Sequence, residues 1–294
     1  MTERRQARAG RLFVLPALAL IFVFFVIPVV AGFFLSLTDF DIYAIGDLSV
    51  ARFVGAANYT NTLQNPAFWN ALKNTFFYVL LGGPLSVLTS LGAALLLASK
   101  LARFKGFFRT VYFAPVVTTL VAVAIVWRYL YHPTYGLIDH GLMAIGLPAI
   151  DWLGDPRFAM FGIVLLAVWK NFGYNMLIFL AGLSNIPDEL YEAAELDGAG
   201  AWSRFMHVTL PSLAPTFLFV AVITMIGHFQ VFSEPYVMTQ GGPLQSTTTI
   251  VLLMYQEGFR WWRIGGASAI AFLLFAIVLA ATLLQLRLFR EDRR

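Results

Sequence analysis

LFVLPALALIFVFFVIPVVAGFFLSL, residues 12–37, runs for 26 residues without one charged side chain. A helix rises about 1.5 Å per residue, so roughly 20 apolar residues cross the hydrocarbon core of a bilayer. This stretch is long enough to cross with some tilt. Arg4, Arg5, Arg8 and Arg11 precede it, and a basic head before an apolar run is also the outline of a secretory signal. A signal's apolar region holds only about 7–15 residues and ends at a small-residue cleavage site, which is lacking here. The stretch is expected to remain in the mature protein as a membrane span.

Composition carries the same reading through the whole chain. Of 294 residues, 59% are hydrophobic and 12% charged, with a mean hydropathy of +0.75; a soluble domain carries about 25% charged residues. Five further runs reach span length: Asn74 to Ser99, Thr110 to Trp127, Phe158 to Leu180, Ser212 to Tyr236 and Ala267 to Leu286. The expected fold is all-α, a polytopic membrane protein with six transmembrane helices over residues 12–286. Basic tails, 1–11 and 287–294, flank it. No low-complexity linker or internal repeat is visible. The absence of cysteine excludes disulfides, thiolate zinc sites and thiol catalysis. The net charge of +4 owes much to the arginines of the two tails, among them Arg287, Arg290, Arg293 and Arg294. Beside apolar runs such charges suit anionic headgroups, and no nucleic-acid partner is expected.

Lysine and arginine also set an orientation. With both termini in the cytoplasm, the inner segments hold thirteen of them, including Lys100, Arg103, Lys105, Arg109 and Arg204, and the outer segments hold six. The positive-inside rule therefore favours cytoplasmic termini. Trp69, Trp127, Trp152, Trp261 and Trp262 fall near the outer boundary, where an aromatic belt is expected.

That orientation places residues 184–211 in the cytoplasm, and they are unlike the rest of the chain. Pro187 suits the first helical position, and Asp188 and Glu189 suit a first turn, where negative charge opposes the helix dipole. The helix is expected to run to Asp197 and stop at Gly198, with Asp188, Glu192 and Glu195 on one face. A second segment carries Trp202, Phe205, Met206 and Thr209 at helical spacing and is expected to halt at Leu210-Pro211. From pattern alone this is equally a surface loop or a rigid elbow.

Glu192-Ala193-Ala194, Asp197-Gly198-Ala199 and Leu210-Pro211 together resemble the EAA loop of the membrane subunits of ATP-binding-cassette (ABC) importers. Further matches spread along the chain: Phe53-Val54-Gly55 with Asn58-Tyr59, Phe68-Trp69 with Ala71-Leu72 and Asn74-Thr75, Ala181-Gly182-Leu183 with Ile186-Pro187, and the run from Tyr236 to Gly241-Gly242-Pro243. The set is similar to the sugar-importer branch, of the maltose and glycerol-3-phosphate permease type, and implies a type I importer fold. It also implies a coupling helix seated on a separate ATPase. Glu192 would contact that ATPase, Ala193 and Ala194 would allow close packing, Gly198 would make the turn between Asp197 and Ala199, and Leu210-Pro211 would join the elbow to the fifth span. The implied partners are a second permease subunit, two ATPase subunits and an extracytoplasmic solute-binding protein in a bacterial-type cytoplasmic membrane. ATP and Mg belong to the ATPases, since a Walker loop needs Gly-Lys-[Ser/Thr]. Lys73, Lys100, Lys105 and Lys170 follow Leu, Ser, Phe and Trp instead.

Polar residues inside spans are few, and each raises a functional question. Asn171 and Asn175 share a helical face, so they either line a path offering hydrogen bonds to a polyhydroxylated solute or bond neighbouring helices. Lys170 suits a carbonyl at a helix end. His228, Gln230 and Glu234 make a second cluster, with Glu234 expected to be solvated at the outer mouth or to meet sugar hydroxyls or a delivering protein. His207 reads as a surface imidazole, and Gly82-Gly83-Pro84 as a kink or close-packing point. No metal site is expected. An ion-coupled secondary transporter would need buried carboxylates or ion-coordinating broken helices. A membrane enzyme would need paired acids or a metal cluster. Neither pattern is found.

Overall fold

The computed structural model describes residues 13–47, 51–99 and 102–291. Arg4, Arg5, Arg8, Arg11, Lys100, Arg293 and Arg294 lie outside the described residues, as does Leu12. Among the described residues the structure is helical, with one isolated bridge between Thr38 and Phe53. Five helices are long and apolar enough to cross a membrane, and a bent pair supplies a sixth span.

The chain forms two compact units. The first holds α1 (Phe13–Ser36), α2 (Ala57–Gln64) and the beginning of α13 (Ile264–Glu291). A clasp closes the end of α1. Asn58 Nδ2 donates to the carbonyls of Ser36 and Thr38 at 2.9 and 2.7 Å, and the Tyr59 and Ser36 hydroxyls lie 2.7 Å apart. The backbone N–H groups of Val54 and Gly55 both donate to Leu37 O, and Gly55 sits at φ +59°, a left-handed conformation that costs glycine nothing. The motif Phe53-Val54-Gly55 with Asn58-Tyr59 is thus a structural fastening of orphan carbonyls at a helix end.

The second unit holds the other spans. Helix α3 (Pro66–Ala98) extends eight residues ahead of the expected start at Asn74; α4 (Lys105–Val117) and α5 (Leu120–Leu130) follow, then α6 (Leu137–Ala144) and α7 (Ala159–Ser184). Next come α8 (Asp188–Leu196) and α9 (Ala201–Arg204), a π-helical turn at Phe205–Thr209, α10 (Leu210–Phe229), α11 (Ser233–Met238) and α12 (Ile250–Tyr255). Its core has two clusters. One gathers Tyr78, Ala124, Tyr131, Ile163 and Leu166, the other Leu91, Ala94, Met176, Phe179 and Leu213.

The third span differs from the continuous helix expected over Thr110–Trp127. It breaks at Thr118-Thr119, where α4 and α5 are bent by 100°. Both threonines are extended, with ψ of 149° and 134°. Pro115 supplies no N–H to the ladder, and the β-branched run Val116-Val117-Thr118-Thr119 disfavours helix continuation. Gly82 is a close-packing point, because a Cβ there would lie 3.0 Å from the His228 ring, whereas a Cβ on Gly83 would meet nothing. The helix runs through Pro84 without interruption.

Two of the tryptophans assigned to an aromatic belt, Trp127 and Trp152, are half-buried and make contacts within the unit. Trp152 donates through Nε1 to Asp139 Oδ1 at 3.1 Å, and Trp127 rests between Tyr131 and Trp169. Asp139 is fully buried and also accepts from Ile150 N at 3.1 Å.

Candidate functional site

Two places in the second unit collect the candidate residues: the elbow of α8 and α9, and a cavity beside α7 and α10. In the elbow Pro187 is the N-cap rather than the first helical residue, and Asp188 and Glu189 occupy the first turn. The helix ends at Asp197 and turns at Gly198, φ +77°. There Ala199 N donates to Ala194 O at 2.9 Å and Gly198 N to Glu195 O at 3.0 Å. This paired pattern is the Schellman close of a helix, which needs a left-handed residue at its centre.

The two arms of the elbow are tied together. The Tyr191 and Thr209 hydroxyls lie 3.0 Å apart, and Arg204 forms an ion pair with Glu195. The expected halt at Leu210-Pro211 does not occur. The chain is helical without a break from Ala201 into α10, and the turn before Pro211 widens to a π-turn in which Leu210 N bonds Phe205 O. The wider turn and Pro211's place at the start of α10 accommodate a residue that lacks an N–H. The second arm of the elbow and the fifth span are therefore one rod.

What the elbow does not bury is as informative. Leu196 is 90% exposed and Trp202 70%, and Glu192 and Ala193, one turn ahead of Leu196, are exposed too, while Ala194 and Ala199 are half-buried. Large apolar side chains standing free beside acidic ones have the character of an interaction surface. His207 is exposed, with Nδ1 2.9 Å from Ser203 O.

The cavity has a volume of about 490 Å³, and Asn171, Asn175, Gln230 and Glu234 all line it. Asn175 does both things considered for it: Nδ2 donates to Thr224 Oγ1 of α10 at 2.9 Å, and the residue still faces the cavity. Asn171 is exposed to the cavity. Glu234 is not the solvated residue expected, being only 8% exposed. The reason is the break at residues 230–232, which reverses nothing but sets α11 against α5 and α7, carrying Glu234 inward. His228 is buried, with Nδ1 2.8 Å from Thr224 O and Nε2 without a partner.

Lys170 stands behind this cavity at the break in the third span. Its Nζ donates to Pro115 O at 2.5 Å, Thr118 O at 2.9 Å and Val116 O at 3.1 Å. It caps the last carbonyls of α4, where the dipole favours a cation. Gly173, one turn on, lets α4 approach so closely that a Cβ there would run into the Tyr112 carbonyl.

Sequence reading missed Tyr78, Tyr174, Thr224 and Ser233, which also line the cavity. They are ordinary residues for a span, and only the fold brings them together. The motif Asn74-Thr75 proves to be a clamp: Asn74 Nδ2 donates to Gln245 O and Thr248 O, and Thr75 Oγ1 accepts from Ile250 N at 2.9 Å. It holds the Gly241-Gly242-Pro243 loop onto the start of α3. Gly182 of Ala181-Gly182-Leu183 is likewise structural, since its Cβ would sit 2.7 Å from Thr216 Oγ1 on α10.

Comparison with known proteins places this geometry. The family described as binding-protein-dependent transport system inner membrane component matches residues 90–291. The probable ABC transporter permease YurN of Bacillus subtilis is 37% identical, covering 96% of each chain. The lactose transport permease LacF of Rhizobium radiobacter is 36% identical over 97% of this chain and 95% of its own. The trehalose/maltose transport permease MalF of Thermococcus litoralis is 35% identical over 98% and 96%. Among solved structures, a bacterial ABC transporter involved in import of the acidic polysaccharide alginate superposes with a TM-score of 0.81 at 22% identity, covering 100% of this chain and 99% of that one. The chain belongs to the family of binding-protein-dependent transport system inner membrane components, the multi-pass permease subunits of ABC transporters.

Proposed function

We propose that this chain forms half of the translocation pathway for a sugar or sugar-like solute, with a second permease subunit forming the other half. Two separate ATPase subunits, which hold ATP and Mg, drive it, and an extracytoplasmic solute-binding protein delivers the solute. The single six-span domain carries both termini in the cytoplasm, and the elbow of residues 184–211 is the seat of one ATPase. Relatives named for lactose and for trehalose and maltose support the solute class.

The observation that carries the coupling role is the exposed pair Leu196 and Trp202, on an elbow that is continuous with α10. Glu192, Ala193, Ala194 and Asp197 present the acidic and small surface beside them. Gly198 and Ala199 set the angle, and Leu210-Pro211 passes the motion to α10. At the other end of α10 and across it on α7, Asn171, Asn175, Gln230 and Glu234 offer the solute hydrogen bonds. Uptake should require ATP and the ATPase subunits, and a cysteine at Leu196 should cross-link to an ATPase chain. Uptake by this chain alone would instead favour an ion-coupled carrier, and absence of any ATPase contact at Leu196 would remove the elbow from the mechanism.

A further inference from the structure

We infer that the cavity on α7 and α10 selects solutes by charge: it accepts neutral or amino-bearing sugars and refuses uronates and sugar phosphates. This rests on the reading of that cavity as part of the solute pathway. Its volume of about 490 Å³ falls within the range of small-molecule sites, about 300–1,000 Å³. Apart from the imidazole of His228, the acidic or basic side chains among its lining residues come to one, the carboxylate of Glu234. A pathway for anionic sugars would be expected to offer arginine or lysine to a carboxylate or phosphate, and this lining contains neither.

The nearest cation lies outside the lining. Lys170 is held by three carbonyls at the break between α4 and α5, where its charge offsets the negative end of α4. It is not among the lining residues. The neutral groups around Glu234 reinforce the preference. His228 turns Nδ1 to the Thr224 carbonyl and buries Nε2 against Gly82 of α3, so its ring nitrogens are both engaged within the protein. Asn175 gives Nδ2 to Thr224 Oγ1, leaving its Oδ1. The Glu234 carboxylate and the Asn175 amide oxygen await donors, which sugar hydroxyls and ammonium groups supply and ionised acids do not. An intramembrane carboxylate is costly to keep, and selection of this kind is a use for it.

The test is uptake by the complete transporter in proteoliposomes, with ATPases, second permease and binding protein present. The probes are maltose, lactose and trehalose, each paired with its uronic-acid counterpart. For whichever neutral sugar is carried, the uronate should be carried at least tenfold more slowly. Glu234→Gln should shrink that gap to about threefold or less, while Glu234→Asp should keep it. Assembly is checked separately by co-purification of the ATPase subunits, so a misassembled Glu234→Gln is replaced by Glu234→Ser under the same criterion. Wild type carrying the uronate as fast as the neutral sugar overturns the inference. So does an undiminished gap in the assembled variant. Asn171→Ala distinguishes the two levels: a raised KM for the neutral sugar with an unchanged gap in Glu234→Gln defeats charge selection alone. An unchanged KM defeats the cavity as pathway, and the inference with it.

Discussion

Replacing Lys170 by methionine probes the break in the third span. The ammonium serves three carbonyls, but Pro115 O has a second donor in Thr118 Oγ1 at 2.6 Å. The substitution therefore deprives Val116 O and Thr118 O of the donor each now has. Each bared carbonyl costs about 1–3 kcal/mol, together roughly 2–6 kcal/mol. Against this, removing a lysine from a span relieves about 2.5–3.5 kcal/mol on insertion scales. The net runs from a gain of about 1.5 kcal/mol to a loss of about 3.5 kcal/mol, so global stability is a weak readout and geometry is the strong one. The chain lacks cysteine, so paired spin labels at Phe107 and Tyr129, both exposed, report the bend directly. Each site lies about 15 Å from the break at roughly 1.5 Å rise per residue. A 100° bend then sets them about 19 Å apart, and a straight helix about 30 Å. Lys170→Met should broaden the distance distribution toward the longer value by up to ~11 Å and slow uptake; Lys170→Arg should restore part of both. A distribution identical to wild type, with normal uptake, would refute the assignment of Lys170 as the cap that holds the bend.

Four other outcomes are expected. Gly82→Ala should lower the thermal midpoint measurably because its Cβ meets the His228 ring, whereas Gly83→Ala, facing open space, should stay within about 0.5 kcal/mol of wild type. Asp139→Ala strips the acceptor from Ile150 N and Trp152 Nε1 and should cost about 2–4 kcal/mol, read as a lower midpoint with loss of the native tryptophan fluorescence. Gly198→Leu forces a side chain into φ +77° at about 1–2 kcal/mol, and should uncouple ATP hydrolysis from uptake while the chain still inserts. Burial pushes the Glu257 carboxyl above the ordinary range, with Arg263 pulling it partly back. Its neutral form is the one the fold favours, so its contribution is complete below about pH 4.3 and is lost as pH rises through the folded value. The midpoint difference between wild type and Glu257→Gln should therefore shift against wild type over that window and be flat above it.

The number of spans and the elbow were legible because they rest on local signals. Uncharged runs of span length admit one solution in lipid, and Asp188, Glu189 and Gly198 mark the two ends of α8 by electrostatics and backbone conformation. The break at Thr118-Thr119 left a signal too, in Pro115 and four β-branched neighbours, but hydropathy counts those residues as apolar and passes over it. Glu234 was misjudged for a different reason. Its burial depends on the interruption at residues 230–232 and on what α11 packs against, and no local pattern encodes either. The family motifs were legible as a resemblance, yet several turned out to be fastenings, such as Asn58 on the Ser36 and Thr38 carbonyls, rather than contacts for other molecules.

The elbow and the cavity stand at opposite ends of one helix, and this arrangement constrains how they can communicate. Helix α10 is 20 residues long, about 30 Å at ~1.5 Å per residue. At one end Thr209 is bonded to Tyr191 of the elbow, and near the other Thr224 is bonded to Asn175 in the cavity wall. Gly182 permits α7 and α10 to touch at the elbow end, so there the two helices can pivot on a close contact. A tilt at the elbow about that contact would be amplified along α10 and would move Thr224 relative to Asn175, opening or closing the cavity without melting a turn. If this lever is right, Gly182→Leu, which forces the helices apart at the pivot, should uncouple ATP hydrolysis from uptake as strongly as a change in the elbow itself. Thr224→Val, at the far end, should leave hydrolysis by the assembled complex intact and alter only the handling of solute. Loss of hydrolysis in Thr224→Val, or normal coupling in Gly182→Leu, would mean that the signal takes another route.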